Sequence, residues 1–369
     1  MKISIERNDE CLKLIKALAS DNQAEVVEAQ EAIAEVIAPV LEEQANQAPV
    51  LSNLFKLKRF DEGSNPVIPL DLYRDITDEN YISVWTQSAD GGLPTNEVRP
   101  IGGELSVTIG RVDSAVSFRK KYIEQGQVDV VAATFERMAQ EMLVKDETLS
   151  ASQIFAALVA AKTNGKQHVV RSSVAGKITL DDFNSLKVLS KRIYQSWAGG
   201  TPEGPSKSGF TDLFMSPEMM GEIRKMAYNP VNTATAPIDG AIKNGIAAPD
   251  EIRRQLYTSP DSPILFGVAI HEYNEFGKGQ KYNKLFNKLA GSTTFGGTEF
   301  DESASEIILG IDASVNSLYR FASTNGNGQT MKFIADDQFT RRSGKIGWYG
   351  YKDEGRVVLD DRALTAIIV

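Results

Sequence analysis

The sequence predicts an α+β fold divided into two compact domains. At 369 residues, the chain exceeds the size at which one hydrophobic core usually stops growing. Helical periodicity is concentrated in 8–44, 127–163 and 181–197, whereas the apolar–polar alternation typical of strands occupies 104–118 and 330–369. Runs of helices and runs of strands that occupy separate parts of a chain favour an α+β architecture.

Composition excludes several functional classes. The formal net charge is −9 and the pI is about 5.1, which argues against an electrostatic grip on nucleic acid. Cys11 is the single cysteine, so no intrachain disulfide can form and a reducing cytosol is the expected compartment. No apolar run reaches the roughly 18 residues that span a bilayer. The N-terminus lacks the apolar core of a secretory signal, so we expect none.

The first predicted helical region, 8–44, is broken at Ser20-Asp21-Asn22, which offers a stop and a new N-cap. Leu12, Ile15 and Leu18 lie on one face before this break. Pro39 should end or kink the second helix. Apolar residues with 3-4-3-4 spacing form a seam on that helix: Val26, Ala29, Ile33, Val36 and Val40. This seam packs either on its own domain or, as an arm, on a neighbouring subunit.

A two-stranded ribbon is predicted next. Strands at 66–70, 81–86 and 104–109 surround a Gly-rich polar tip at 89–96, and a further strand follows at 115–118. An isolated ribbon has too little core to be stable in water. It therefore needs a surface to lie on, and a neighbouring subunit is a candidate.

The longest helical signal is 127–163, which would be about 50 Å long if it were continuous. Asp146-Glu147-Thr148 is a candidate interruption, since Thr148 could cap a new helix. Apolar residues fall on one stripe and indicate core rather than a ligand site: Val131, Phe135, Met138, Met142, Leu149, Phe155 and Leu158.

The second half of the chain begins with a helix at 181–197, for which Thr179 and Asp182 form a capping box. A Gly/Pro/Ser-rich loop at 198–209 marks the expected domain boundary. A strand at 211–215 then leads into a helix that Ser216 caps and Pro217 begins. The apolar run at 366–369 predicts a buried terminal strand.

The search for catalytic or metal-binding motifs finds none with the required spacing, so we predict no catalytic, cofactor-binding or metal-binding residues. The two histidines are His168 and His271, and the stretch at 271–275 lacks the second histidine of a metalloprotease helix. We expect that stretch to be a surface loop. An acidic cluster without calcium-loop spacing is expected to be solvated: Glu299, Asp301, Glu302 and Glu306. Arg341 and Arg342 with Lys345 form either a solvated face or a charged contact between subunits.

Three stretches carry a resemblance to a known family. They are Ser117-Phe118 leading into 127–163, the 181–197 helix followed by Leu213-Phe214-Met215-Ser216-Pro217-Glu218-Met219-Met220, and the tail from Phe339 to Gly347 with Arg356 to Leu364. Their order over residues 45–369 resembles that of the major capsid proteins of tailed bacteriophages, which share the Hong Kong 97 fold. The resemblance implies an N-terminal helical arm (1–65), an extended β-hairpin loop (66–115), a peripheral domain with a spine helix (116–205 and 331–360) and an axial domain (206–330 and 361–369).

The resemblance also implies a function. Copies of the chain would assemble into hexamers and pentamers of an icosahedral head that encloses double-stranded DNA without sequence-specific binding. The expected partners are further copies, a separate scaffold protein, a portal and decoration proteins, and not a membrane. The chain would be made in the host bacterial cytoplasm and end in the virion. The tip at 89–96 has no lysine, which disfavours crosslinking through it.

Two alternatives remain open. The first is the shell protein of an encapsulin-like nanocompartment, which shares the fold. The second is a two-domain enzyme with an unrecognised site, for which His271 and Glu272 are the best candidates.

Overall fold

A computed structural model describes residues 9–18, 20, 22, 24–35, 51–61, 63–64, 66–69, 104–124, 129–193, 209–226, 264–324, 328–336 and 344–369. Within these residues helices and strands both contribute to the cores, which confirms the predicted α+β class. The chain divides into two compact units. Unit 1 comprises 1–68, 105–151 and 318–357, and unit 2 comprises 69–104, 152–317 and 358–369.

Seven α-helices are present in the described part of the chain. They are α1 (Asp9–Leu18), α2 (24–35), α3 (Lys120–Glu124), α4 (Asp129–Thr163), α5 (Leu180–Ile193), α6 (Pro217–Met226) and α7 (Lys281–Ala290).

Most of the strands fall in two runs, one before α3 and one after α7. The strands are β1 (Lys56–Asp61), β2 (Val67–Pro69), β3 (Glu104–Ser106), β4 (Gly110–Arg119), β5 (Val169–Arg171), β6 (Asp212–Met215), β7 (Ile264–Leu265), β8 (Val268–Glu272), β9 (Thr294–Phe295), β10 (Thr298–Glu299), β11 (Ile307–Ile311), β12 (Leu318–Thr324), β13 (Lys332–Asp336), β14 (Lys345–Val358) and β15 (Leu364–Ile368).

Unit 1 is built on a five-stranded sheet in the order β1-β12-β14-β13, with β4 also paired to β14. β1 runs parallel to β12, and β4 runs antiparallel to β14 from Arg119 opposite Lys345 to Gly110 opposite Glu354. Trp348 of β14 is fully buried, with its ring centroid 5.1 Å from that of Phe135 and 5.4 Å from that of Phe118. The core of this unit therefore lies between β14 and the first half of α4.

Unit 2 is built on a six-stranded sheet in the order β5-β15-β11-β6-β8-β7. Every residue of β11 and β15 is buried, as the predicted terminal strand requires. β15 is parallel to β5 and antiparallel to β11, so the end of the chain lies inside the sheet. Phe155 adds a second cluster, because its ring centroid lies 5.5 Å from that of Phe286 and 6.2 Å from that of Tyr282.

Helix α4 is continuous over 35 residues, which corresponds to about 52 Å. The predicted interruption at 146–148 is wrong. The hydroxyl of Thr148 donates to the carbonyl oxygen of Val144 at 2.6 Å, so it bonds back along the helix instead of capping a new one. Asp146 and Glu147 are buried, and both find partners in unit 1.

The leading helices pack on their own unit. Asn22 accepts a hydrogen bond from the backbone N–H of Ala24 at 3.2 Å, which confirms the predicted break and cap. Ala29 and Ile33 of the predicted seam are buried in one cluster with Phe135 and Trp348. The alternative in which this seam packs on a neighbouring subunit is wrong for α2, because its apolar face is already covered. The side chains of Leu12 and Ile15, and the residues Val36, Pro39 and Val40, lie outside the described part.

The expected domain limits differ from the two units. The expected arm, 1–65, includes β1, which is a sheet strand of unit 1 rather than an extension. The expected peripheral domain ran to residue 205, but 152–193 group with unit 2, because the second half of α4 and all of α5 pack there. Of the expected boundary loop at 198–209, residues 198–208 lie outside the described residues, as do 81–86, the tip at 89–96, and Arg341 with Arg342.

Several local predictions are confirmed by hydrogen bonds. The backbone N–H of Thr179 donates to Asp182 at 3.0 Å and that of Asp182 donates to the hydroxyl of Thr179 at 3.2 Å, which is the predicted capping box. The hydroxyl of Ser216 accepts from the N–H of Met219 at 3.2 Å, so it caps α6 as predicted.

Candidate assembly surface

His271 and Glu272, the candidates of the enzyme alternative, do not form a common site. Both belong to strand β8, so the prediction of a surface loop at 271–275 is wrong for these two residues. Successive strand residues point to opposite faces. Nε2 of His271 lies 2.8 Å from Oδ1 of Asp212, whereas Glu272 accepts a hydrogen bond from Arg224 at 2.9 Å. The two side chains therefore serve separate contacts.

The surroundings of His271 stabilise the sheet. Its ring stacks on Phe214, with centroids 4.9 Å apart. The hydroxyl of Thr211 donates to the second oxygen of Asp212 at 2.6 Å. Burial alone would raise the pKa of Asp212, but the hydrogen bonds from His271 and Thr211 outweigh it and lower the pKa. The hydroxyl is bonded to the carboxylate and not to the imidazole, which is not the order of a Ser-His-Asp site.

The acidic residues near 300 do not behave as one solvated group. Glu306 is buried and accepts a hydrogen bond from Ser216, the residue that caps α6, so the expectation of solvation is wrong for Glu306. Burial raises the pKa of the Glu306 carboxyl despite that bond. Glu299 and Asp301 are exposed. Among the described residues, no group of three His, Cys, Asp or Glu side chains is arranged to hold a metal ion.

A buried group of four charges joins α4 to strand β14 in unit 1. Lys352 pairs with Asp146 and lies 3.2 Å from Glu354, while Arg356 lies 3.0 Å from Glu354. Arg356 also donates to the hydroxyl of Ser150 at 2.9 Å. Two cations and two carboxylates balance, so the group adds no net charge to the interior. Such a group fixes one alignment of the helix on the strand rather than providing a reactive site.

The two carboxyls of this group have opposite pKa shifts. Burial raises the pKa of Asp146 to about 6, opposed by Lys352 and reinforced by Glu354. Burial also acts on Glu354, but Lys352 and Arg356 outweigh it and lower its pKa to about 2. When two carboxyls lie close together and share cations, ionisation of one makes ionisation of the other less favourable. Their pKa values therefore move apart.

Glu147 fixes the segment that precedes β1. Its carboxylate accepts a hydrogen bond from the backbone N–H of Ser52 at 3.3 Å, and Leu51 and Phe55 are buried beside this contact. Burial raises the pKa of Glu147 to about 7, although the bond from Ser52 lowers it. The neighbouring residues Asp146 and Glu147 thus hold two different chain segments against α4.

The expected extended loop has a paired base. β2 and β3 form a two-stranded sheet, and the N–H of Val107 donates to the carbonyl oxygen of Pro66 at 3.2 Å. The chain leaves this base after Pro69 and returns at Glu104, while the residues between lie outside the described part. Ile68 and Val107 are buried at the base, whereas Val67 is 41% exposed. The base is an apolar surface at the root of a long insertion.

Next to this base, the alternate residues of β4 and β14 that point away from the core form a partly exposed face with ordered polar side chains. Arg111 makes two parallel hydrogen bonds to Asp353, at 2.8 and 2.9 Å, and its guanidinium lies 4.4 Å from the ring centroid of Tyr351. The hydroxyl of Tyr349 donates to Asp113 at 2.9 Å. Exposed ion pairs contribute little to stability, but they hold these side chains in fixed positions. This face is therefore a preformed polar surface.

Unit 2 presents an exposed apolar tip where β7 turns into β8. Ile264 is 55% exposed and Phe266 is 50% exposed. Phe266 occupies the left-handed backbone region, with φ of 51°. The sequence contained part of this signal, because Ile264-Leu265-Phe266 is one of the short apolar runs in a polar region, but its place in a hairpin could not be predicted from it.

No helix in the described ranges is long and apolar enough to cross a membrane.

No family model matches the sequence, and no curated protein matches it. Solved structures do match the fold. The capsid of cyanophage P-SCSP1u is similar with a TM-score of 0.49 and 12% identity, covering 87% of this chain and 88% of that chain. The virus-like particle from Pyrococcus furiosus has a TM-score of 0.43 and 12% identity, covering 91% and 99%. The SrpI encapsulin complex from Synechococcus elongatus has a TM-score of 0.46 and 11% identity, covering 86% and 85%.

These likenesses concern the fold alone.

Proposed function

We propose that this chain is the structural subunit of a closed shell, the head of a tailed bacteriophage, built from hexamers and pentamers of the chain. The head encloses double-stranded DNA without reading its sequence. In this proposal the chain is made in the cytoplasm of a host bacterium and ends in the virion. It meets scaffold, portal and decoration proteins there in addition to its own copies.

The order of elements along the chain carries the proposal. A paired loop base (β2 and β3) is followed by strand β4, the 35-residue helix α4, helix α5, a second sheet, and a late return to the first sheet through β14. This is the order that the sequence resemblance to tailed-phage capsid proteins implies. Each surface described above belongs to a contact that a subunit could make with a neighbour rather than to a site for a small molecule.

The proposed contacts between copies depend most on the loop between β2 and β3. Because its ends pair with each other, a long insertion can leave the unit and return without disturbing the sheet below. A ribbon of this kind has too little core of its own and gains burial on a neighbouring copy. Many such contacts, each weak, add up to a stable container in a closed symmetric array.

The charge of the chain suits a container for DNA. A shell protein with a net charge of −9 does not bind the phosphate backbone tightly, so the packed DNA can be released. Neighbouring genes test the phage assignment independently of assembly. Portal and terminase genes beside the coding sequence would support a phage head, whereas a cargo enzyme gene in their place would contradict it and favour a nanocompartment.

Replacement of residues 71–102 by a short Gly-Ser linker tests the role of the loop. The linker would join the two strands of the paired base, so the loop-replaced variant should keep the fold of the wild-type subunit. Sedimentation velocity and negative-stain electron microscopy should show closed particles for the wild type and small soluble species for the variant. Circular dichroism serves as the control for folding. If the variant is folded and still forms closed particles, the assigned role of the loop is wrong.

A further inference from the structure

The turn at the hairpin tip of unit 2 contains Phe266, a residue type that the backbone conformation of this turn disfavours. β7 and β8 pair with Leu265 opposite Val268, which leaves a two-residue turn, Phe266-Gly267. Both turn residues have positive φ, 51° and 78°. Turns of this geometry favour Asn-Gly, because Asn tolerates the left-handed region and a bulky residue does not. Phe266 therefore holds a strained position, and such strain is often kept for a contact.

Two contacts with helix α5 hold Phe266 in place. Its ring centroid lies 6.0 Å from that of Phe183, and the ammonium of Lys187 donates to its backbone carbonyl oxygen. Yet half of Phe266 remains exposed, together with half of Ile264 on the same hairpin and half of Val188 on α5. The aromatic ring is thus positioned but not covered.

The C-terminal half of the helix beside the tip is basic. Its last turn contains Lys191 and Arg192. Lys187 and Lys191 are four residues apart, a like-charge pair that is unfavourable on an isolated helix. The whole chain contains 49 acidic and 40 basic residues, so the surface that other copies offer is on average acidic. An apolar tip with a basic rim is complementary in charge to such a surface.

We propose that the tip formed by Ile264 and Phe266 is a contact that inserts into an apolar, acid-flanked surface on a second copy of this chain. The proposal deepens the proposed function and rests on it. Two half-exposed side chains cover far less than the roughly 800 Å² that each partner contributes to a stable pair. The contact is therefore suited to an array in which it is repeated many times, and not to an isolated dimer.

Two substitutions at one position test this proposal. Phe266→Asn removes the ring and places the residue that the turn prefers, so the fold should be at least as stable as in the wild type. Phe266→Leu keeps an apolar side chain and the same backbone strain. Static light scattering against protein concentration measures the critical concentration of assembly. We expect it to rise at least about tenfold for Phe266→Asn, the effect of losing an aromatic anchor, and less than about threefold for Phe266→Leu.

The melting temperature of the unassembled subunit separates the outcomes. Loss of assembly in Phe266→Asn with an unchanged or higher melting temperature supports the contact. Loss of assembly with a clearly lower melting temperature overturns it, because the ring of Phe266 would then stabilise its own chain. Assembly of Phe266→Asn at the wild-type concentration also overturns it.

The charged rim has its own test. Lys191→Glu should raise the critical concentration and make assembly less sensitive to added salt, and Lys288→Glu, an exposed residue in the last turn of α7 in the same unit, is the control. A wild type that forms no particle at any concentration contradicts the proposed function. In that case weak self-association, measured by sedimentation equilibrium, still tests the tip, because Phe266→Asn should abolish it. If the wild type shows no self-association, the tip is not a contact.

Discussion

Trp348 donates a hydrogen bond from Nε1 to the backbone carbonyl oxygen of Gln30 at 3.1 Å. A second hydrogen bond joins the same helix and strand in the opposite direction, because Nε2 of Gln30 donates to the carbonyl oxygen of Gly347 at 3.2 Å. Both side chains are buried. The second leading helix is therefore fixed to strand β14 of its own unit. In the proposed function, assembly therefore depends on the loop and on exposed surfaces and not on α2.

Trp348→Phe should lower the free energy of unfolding by about 2 kcal/mol, because it leaves the Gln30 carbonyl without its donor and removes part of a packed ring. The loop-replaced variant is the suitable background, since its unfolding should not be coupled to assembly. Urea denaturation followed by circular dichroism measures the change. Tyr349→Phe, at the next residue and exposed, is the control and should have little effect. Equal stability of the Trp348→Phe protein and its parent would contradict the role of this bond.

Lys352→Met should destabilise the same background by about 3–5 kcal/mol, because it leaves Asp146 and Glu354 as buried carboxylates with one cation fewer. The double variant Asp146→Leu with Lys352→Met removes one charge of each sign and should recover part of the loss. Guanidinium unfolding curves of the two variants measure the difference. A double variant that is less stable than the single one would show that the group is not an ion-pair network.

Glu147 gives unit 1 a pH dependence. The pKa of its carboxyl is about 7 in the fold and about 4.5 without it. The folded state therefore binds the extra proton between these values, and stability falls as the pH rises from about 4.5 to about 7. We expect Glu147→Gln, which mimics the protonated form, to reduce this fall by on the order of 2 kcal/mol. Denaturation at a series of pH values gives both curves. Parallel curves for the two proteins would contradict the assignment.

Asp182 should contribute more to stability than its neighbour Asp181. Asp182 accepts hydrogen bonds from the backbone N–H groups of Ser173 and Thr179 and from the hydroxyl of Thr179. Asp182→Ala should lower the free energy of unfolding by about 2 kcal/mol and so lower the melting temperature, because it leaves partly buried donors unpaired. Asp181→Ala, in the same helical turn, should cost under about 1 kcal/mol. Differential scanning calorimetry compares the two, and equal losses would contradict the capping network.

The sequence predicted those elements whose signal is local. Periodicity located α4 and α5, and the residue types Thr179, Asp182 and Ser216 predicted the caps of α5 and α6 correctly. The order of elements was sufficient to predict the α+β class. In each case neighbouring residues in the chain supply the physical cause.

Features that depend on distant residues could not be predicted. Thr148 resembles an N-cap, but the buried cations of β14 stabilise Asp146 inside an unbroken helix. The polar sequence around His271 suggested a loop, whereas pairing with β6 makes it a strand. β1 is short and basic, and it is a strand because it lies parallel to β12. The exposed tip at Phe266 depends on a turn conformation that its own residue type disfavours.

Cryo-electron microscopy of the purified wild-type chain tests directly whether its copies assemble into a closed shell. We expect closed shells with rings of five and six subunits, in which residues 70–103 of one subunit lie across the next. Monodisperse monomers at high protein concentration, with that segment folded on its own subunit, would contradict this expectation.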